Sequence, residues 1–465
     1  MLHRDNLSRC RGFFLAWKGG DTQIVKTLIV GNGFDLAHGL PTKYTDFLSR
    51  SIKFLDYANG GALEGNDLWQ VLNSNNVSNE FHELVNENVW LDYFIQKYQT
   101  NSLRGEKWID CEREIKEVIS NYEMDYISNS GYLMINFEQT DLLCFIKGFD
   151  DFRGKDVFFE DIKGIIGKPM MEPLLSEFIE FLFQQLRLFT RAFEIYCLYF
   201  VNKTSENFAE KYNTRRIAEQ IHKLQVKQNR LQNPYSEDID NKDTLIKDTG
   251  NELKEIQVKY GSLVPLQIWD FDYVLSFNYT NTFEMLYGNT KTQFCYIHGK
   301  AQSNPSETNF ILGIDDSLSE EYENNLFAFA KFKKYFQRIF YKTGSEYKNW
   351  INELHASDSC DTHEIYIVGH SLGLTDHEAL KEFFNIDDKR SDGFSKVRIT
   401  IFYFDEISKI NSIERVVEMI HKETLIERVH GERWSVRFVN QYDENEGIMK
   451  RWDKTEFKTA IEFKL

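Results

Sequence analysis

The sequence predicts an α/β protein: a three-layer, Rossmann-like parallel sheet interrupted by a large all-helical insertion. Short β-branched, apolar runs occur at Ile24–Val30 and again after about residue 263. Near-continuous apolar runs of this kind are typical of parallel strands covered by helices on both faces. Between them, over 61–262, aromatic residues recur at helical spacing and strand patterns are scarce.

The order of elements follows from these patterns. Residues 1–23 show no clear pattern and are predicted to be a disordered lead-in, and 24–60 reads as strand, tight turn and helix. Residues 263–465 return to the α/β pattern, as the remainder of the same domain. Five further strands are predicted there, at 273–280, 294–299, 309–315, 364–372 and 396–404.

The insertion contains one strongly periodic segment and one charged segment. The periodic segment opens at Pro173, and its core-facing residues are Leu175, Phe178, Leu182, Leu186, Phe189, Phe193, Tyr196 and Phe200. Two charged stretches flank a turn-rich stretch and predict a helical hairpin near 205–260. That hairpin is either an arm for self-association, which would make the protein a homo-oligomer, or a solvated hairpin on the body.

Composition limits the classes of partner. The 465 residues include 55 Lys and Arg against 72 Asp and Glu, a net charge of −17, which disfavours nucleic acid as a partner. The six cysteines form no CxxC pair, which favours a reducing, cytoplasmic location. No apolar stretch approaches the roughly 20 residues of a membrane span. We therefore expect no membrane partner.

The stretch GNGFD follows the first predicted strand. Gly31 and Gly33 lack a Cβ, so a pyrophosphate could approach this backbone closely, and the following helix offers amide donors. Leu36 occupies the position of the third glycine in the dehydrogenase fingerprint, so a nicotinamide dehydrogenase is not expected. A glycine turn without a ligand remains the alternative.

Two longer motifs identify a family. GNGFDLAHGLPTKYTDF, together with the later GHSLGLTD, resembles the signatures of the abortive-infection AbiH family of bacterial phage-defence proteins. With NYT and IHG between them, these motifs frame most of the chain, from Leu28 to about Asp405. The resemblance implies a role in abortive infection, with a phage-derived trigger as a possible partner.

A more distant resemblance concerns sirtuin-type NAD-binding domains. Those domains carry a GAG turn with a following G-I-P segment, an N-I-D strand end, an H-G pair and a G-T-S-L turn. The corresponding residues here are Gly31, Gly33, Gly39, Leu40, Pro41, Asn278, His298, Gly299, Gly369, Ser371 and Leu372. The resemblance implies a sirtuin-like sheet and hydrolysis of NAD or a related nucleotide. That nucleotide would be the substrate, and no cofactor or metal would be required.

The residues at these positions suit glycosidic cleavage. The reaction passes through an oxocarbenium-like centre and needs a positioned water or ribose hydroxyl, which Asn278 would orient and His298 would deprotonate. Thr280 replaces the sirtuin acid, and Asp35 replaces a small hydroxyl residue, where it would cap a helix or bind a ribose hydroxyl. The predicted nucleotide-binding set is Gly31, Asn32, Gly33, Phe34, Asp35, Pro41, Thr280, Gly299, Gly369, His370, Ser371 and Asp376.

Other functions fit parts of the sequence. GHSLG also matches the G-x-S-x-G nucleophile elbow, with Ser371 as nucleophile, Asp405 as acid and His421 or His430 as base. A metal site from His370, Asp376 and His377 is disfavoured because the spacing suits no helix face. A non-catalytic nucleotide sensor or partner-binding protein would use the same glycine turns.

Overall fold

A computed structural model describes most of the chain. The described residues are 24–62, 65–103, 109–129, 133–134, 143–152, 169–170, 173–212, 220, 223–224, 226–228, 230–231, 241–260, 271–314, 327–356, 362–373, 376–385, 397–431, 435–444 and 446–449. The predicted lead-in, 1–23, lies outside them. So does most of 213–240, the central part of the hairpin predicted near 205–260. Every structural statement below refers to the described residues.

One parallel sheet of six strands organises the fold. The strands in chain order are β1 (Ile24–Val30), β2 (Leu133–Met134), β3 (Pro169–Met170), β4 (Tyr273–Ser276), β5 (Gln293–Tyr296), β6 (Thr362–Val368), β7 (Val397–Tyr403) and β8 (Val436–Asn440). The large sheet has the order β5-β4-β1-β6-β7-β8, and every neighbouring pair in it is parallel. β2 and β3 form a separate antiparallel pair within the helical region.

Over the described residues, the structure gives the bounds of sixteen α-helices. They are α1 (Asn32–Ala37), α2 (Tyr44–Ala58), α3 (Asp67–Ser74), α4 (Ser78–Val85), α5 (Val89–Leu103), α6 (Cys111–Ser128), α7 (Leu143–Phe152), α8 (Leu174–Ile195), α9 (Asn202–Tyr212), α10 (Lys242–Tyr260), α11 (Thr282–Tyr287), α12 (Lys334–Tyr341), α13 (Tyr347–Ala356), α14 (His377–Phe384), α15 (Glu406–Ile420) and α16 (Lys422–His430). None of the described helices is long and apolar enough to cross a membrane.

The strand order reverses beside β1. From β1 the chain adds β4 and β5 on one side, and it then returns to add β6, β7 and β8 on the other. This is the doubly wound arrangement, in which ligands bind outside the carboxyl ends of the strands where the order reverses. At that edge Val30 pairs with both Ser276 and Val368, so the loops after β1, β4 and β6 begin at the same level.

The parallel sheet with a helical insertion is confirmed, while one predicted strand is absent from the described residues and one observed strand was not predicted. Asn309–Ile314 is a loop with only an isolated bridge from Ile314 to Lys333, and Phe310, Leu312 and Ile314 are buried in the cluster that includes the helical region. β8 was not predicted, because Val436–Asn440 is short and carries Arg437. The predicted boundaries at 61 and 262 stay predictions.

Helix α8 forms the centre of the helical region. Its buried residues include Leu175, Phe178, Leu182, Leu186 and Phe189, the face that the spacing predicted. The helix continues into a π-helical turn, Tyr196–Val201. The buried residues of the helical region belong to one hydrophobic cluster with Leu28 and Val30 of β1, so the insertion and the sheet share a core.

Helix α12 has its polar side inside. Lys334 and Gln337 are buried, whereas Ile339 and Phe340 are 74% and 64% exposed. The amide of Gln337 donates to the carbonyl of Leu312 at 3.0 Å. The helix therefore meets the protein body through polar contacts and turns its apolar side chains outward.

The loops after β1 and β6 are in direct contact. The amide of Gly31 donates to the carbonyl of Val368 at 3.1 Å, and the amide of Gly33 donates to the carbonyl of Gly369 at 2.8 Å. A Cβ on Gly369 would lie 2.1 Å from the Phe34 nitrogen, and Gly369 has a φ of +64°. Only glycine lets the two loops approach this closely.

Gly369→Ala is expected to destabilise the protein more than Gly60→Ala. Gly60 has a φ of +92° but open space around its Cβ position, so its substitution costs only the backbone strain, about 1–2 kcal/mol. Substitution of Gly369 adds overpacking, typically about 1–3 kcal/mol. Denaturant unfolding of both variants measures the difference. Equal losses would show that the loop contact is not tight.

Candidate functional site

The ends of β1, β4, β5 and β6 surround a cavity of about 330 Å³. Asn278 follows β4, and its backbone amide donates to the Ser276 hydroxyl at 3.2 Å. His298 follows β5, after Ile297 has bonded to Ser276 across the sheet. Parallel pairing thus brings residues that are far apart in sequence to one edge.

Most of the predicted site residues line this cavity. They are Gly31, Asn32, Gly33, Asp35, Asn278, Thr280, His298, Gly369, His370, Ser371 and Asp376. Phe34, Pro41 and Gly299 do not. Phe34 is fully buried against His38, and the Pro41 carbonyl accepts from the Tyr196 hydroxyl at 2.7 Å.

Gly299 has a structural reason to be glycine. Its φ is +77°, and a Cβ there would lie 2.0 Å from the Asn309 carbonyl oxygen. The amides of Gly31 and Gly33 are likewise bonded within the protein, to the loop after β6. The glycine pair therefore brings two loops together, and a phosphate would need other donors.

Asp376 holds two histidines. Its Oδ1 lies 3.1 Å from His298 Nε2, and its Oδ2 lies 3.4 Å from His370 Nε2. His370 Nδ1 accepts from the Leu372 amide at 2.9 Å, so the hydrogen of a neutral His370 is on Nε2 and points to the carboxylate. The same carboxylate makes His298 Nε2 the donor. The other nitrogen of His298, Nδ1, then carries a lone pair, and it is buried without a hydrogen-bond partner.

Burial and the neighbouring charges keep His298 neutral and Asp376 ionised. Burial and the neighbouring Lys334 ammonium both lower the pKa of His298. Burial alone would raise the pKa of Asp376, but Lys334 and the hydrogen bonds from His298 and His370 outweigh it and hold that pKa well below its ordinary value. A neutral imidazole backed by a carboxylate is the arrangement of a general base.

The sequence did not indicate Lys334 and Glu112. Lys334 Nζ lies 2.7 Å from Glu112 Oε2 and 3.6 Å from Asp376 Oδ1. Glu112 Oε1 is 3.1 Å from the Tyr279 hydroxyl. In the sequence, Lys334 belongs to a helix whose opposite side is apolar. That pattern normally places lysine in solvent, so it did not indicate a buried Lys334.

A second buried carboxylate lies on the other side of the cavity. Asp35 is within α1 rather than at its N-cap, and its Oδ2 accepts from the Thr280 hydroxyl. Burial raises the pKa of Asp35 from 3.8 to about 6, against the hydrogen bonds, led by that from Thr280, that lower it. Asp35 Oδ1 and Asn278 Oδ1 are buried without partners. With His298 Nδ1, three buried polar atoms of cavity-lining residues have no hydrogen-bond partner within the described part of the chain, a state that is rare in native proteins.

A larger cavity of about 600 Å³ adjoins the first one. The two share Gly33, Leu36, Lys43 and 369–371 as lining residues. The rest of the second cavity is lined by aromatic side chains from the ends of β7 and β8, and by small polar residues of α15. The aromatic residues are Phe402, Tyr403, Phe404 and Tyr442.

The residues of the alternative serine-hydrolase triad are not joined to one another. Asp405 is exposed and caps α15 by accepting from the Ser408 amide at 2.8 Å. No hydrogen bond joins Ser371 to Asp405, His421 or His430, all of which the structure describes. His377 of the metal alternative lies 3.1 Å from the Leu372 carbonyl through Nε2, and no group in the described part of the chain has the arrangement of a metal site.

The fold and the site define a class: a doubly wound α/β protein with a cavity, lined in part by buried polar side chains, where its strand order reverses. The model of the family described as bacteriophage abortive infection AbiH matches residues 27–403. The chain therefore belongs to the AbiH family, as the two glycine motifs predicted, and that family connects it with abortive infection in phage defence. No match was found among curated proteins or among solved structures.

Asp35→Asn is expected to stabilise the protein at neutral pH. Because burial raises the folded-state pKa to about 6, the unfolded chain ionises first as pH rises, and wild type loses stability between about pH 4 and pH 6. The variant avoids that loss, a gain of up to about 3 kcal/mol at pH 7 and none below pH 4. Urea unfolding across this range measures it.

Asp405→Asn is the matched control. Hydrogen bonds from Ser408 lower the pKa of Asp405, so its contribution to stability is present at neutral pH and disappears as the pH falls. This exposed substitution should destabilise where the Asp35 substitution stabilises. A pH-independent effect of Asp35→Asn would contradict the raised pKa.

Proposed function

We propose that the protein hydrolyses the N-glycosidic bond of NAD or a closely related dinucleotide during abortive infection. One observation carries the proposal: His298 has its Nε2 held by Asp376, and its Nδ1 is unpartnered in a cavity that Asn278 also lines. This is a neutral base beside an amide oxygen able to accept from a water or a ribose hydroxyl. Loss of NAD would halt metabolism in the infected cell.

The chemistry needs few protein groups. The bond between ribose C1′ and the nicotinamide nitrogen breaks, and its electron pair leaves with nicotinamide. Water forms the new bond to C1′, and its proton passes to His298 Nδ1, so the products are ADP-ribose, nicotinamide and a proton. Asn278 Oδ1 orients the water or the ribose. Ionised Asp35 offsets positive charge on the oxocarbenium-like centre.

The size of the site favours a dinucleotide. The first cavity, about 330 Å³, suits the nicotinamide riboside half, and the aromatic cavity suits an adenosine half whose base stacks on the side chains. Lys43 lines both cavities, and its ammonium complements a pyrophosphate that joins the halves. Lys43 thus supplies a phosphate partner in place of the occupied glycine amides.

His298→Ala and Asn278→Ala are each expected to lower the rate of NAD cleavage strongly. Loss of a general base typically lowers the rate about 10²–10⁴-fold, and loss of the orienting amide should act on kcat as well. Chromatography of NAD, nicotinamide and ADP-ribose, with purified protein and in infected cells, measures this. His430→Gln, outside both cavities, is the control. If wild type binds intact NAD and releases no product, the protein is a sensor and the proposal fails.

Phe404→Ala is expected to raise KM for NAD without raising KM for nicotinamide mononucleotide. Phe404 is 60% exposed at the aromatic cavity, so its removal should spare the fold but weaken stacking, by about 1–3 kcal/mol or up to roughly a hundredfold. The mononucleotide lacks adenosine and cannot report that contact. Equal effects on both substrates would place the adenosine elsewhere.

A further inference from the structure

Lys334 is a buried cation shared by two carboxylates from different parts of the fold. Its side chain is only 3% exposed. Glu112 comes from α6 in the helical region, whereas Asp376 immediately precedes α14 beside the sheet. The ammonium thus forms ion pairs both with the helical region and with the carboxylate that contacts His298.

We propose that Lys334 is a positioning residue: its ammonium, held between Glu112 and Asp376, keeps one positive charge against the Asp376–His298 pair and couples α6 to that pair. The inference rests on the proposed function for its importance, but its physical content is independent of turnover. Burying an ammonium is costly unless it is paired, and here both partners also contact aromatic or imidazole groups of the site. A shift of α6 would therefore move the charge that lies beside Asp376 and His298.

Several charged and titratable groups face His298, each from a different element. They are Asp376 before α14, Lys334 of α12, Glu112 of α6 and Tyr279 after β4, while His370 after β6 contacts the same Asp376 carboxylate. Lys334 disfavours the imidazolium and so lowers the pKa of His298, whereas Asp376 and Glu112 raise it. Removing Lys334 and removing Glu112 must therefore act in opposite directions.

The test is the titration of His298 by NMR in the full-length protein without nucleotide. Lys334→Met is expected to raise the pKa of His298, and Glu112→Gln is expected to lower it, each by on the order of one pH unit. Lys334→Arg keeps the charge and should restore most of the wild-type value. In the cleavage assay the acid limb of the pH dependence of kcat should move with each pKa.

Lys333→Met is the matched control. Lys333 is the adjacent buried lysine, and it pairs at 3.2 Å with Glu123 of α6, the helix that also carries Glu112. A merely structural role for Lys334 predicts that both lysine variants lose stability alike, without opposite pKa shifts. Equal or absent shifts of His298 in Lys334→Met and Glu112→Gln would overturn the proposal. If Lys334→Met does not fold, Glu112→Gln and Lys334→Arg still decide it.

These readouts separate the two proposals. Opposite shifts of the His298 pKa without any NAD cleavage would leave the positioning role standing and end the proposed activity. NAD cleavage that depends on His298, with a His298 pKa unchanged in Lys334→Met and Glu112→Gln, would leave the proposed activity standing and end the positioning role.

Discussion

The approach of the loops after β1 and β6 is the constraint on which the site depends. The amide of Gly33 meets the carbonyl of Gly369, and neither position has room for a Cβ. This contact closes the sheet edge where the strand order reverses, and it separates a small polar cavity from a larger aromatic one. Without it, Ser371 and His370 would have no fixed relation to Asp35 across the crevice.

Two buried carboxylates in the same cavity have opposite electrostatic surroundings. Asp376 has a lysine and two histidines beside it, and its pKa is lowered, whereas Asp35 has only neutral hydroxyl and amide groups, and its pKa is raised. Environments that separate two acids in this way assign them different tasks. Asp376 stays charged and holds His298, whereas the protein loses stability when Asp35 ionises in its buried position.

How far the sequence predicts this site depends on where each residue lies. Asn278 and His298 directly follow strands, and parallel strands bring their carboxyl ends together, so short motifs were sufficient to find them. Lys334 and Glu112 come from helices, and no local pattern says which helix will lie over the sheet edge. Gly299 looked like a ligand residue because a glycine needed for packing has the same sequence signature as one needed for binding.

Because α12 turns its polar side inward, docking of this helix and ion pairing of Lys334 with Asp376 occur together. With Ile339 and Phe340 directed to solvent, little hydrophobic burial retains the helix. Two buried ion pairs to α6, from Lys333 and Lys334, fasten it instead. Ion pairs rather than apolar contacts hold this helix. If α12 detached, Asp376 would lose the neighbouring ammonium of Lys334.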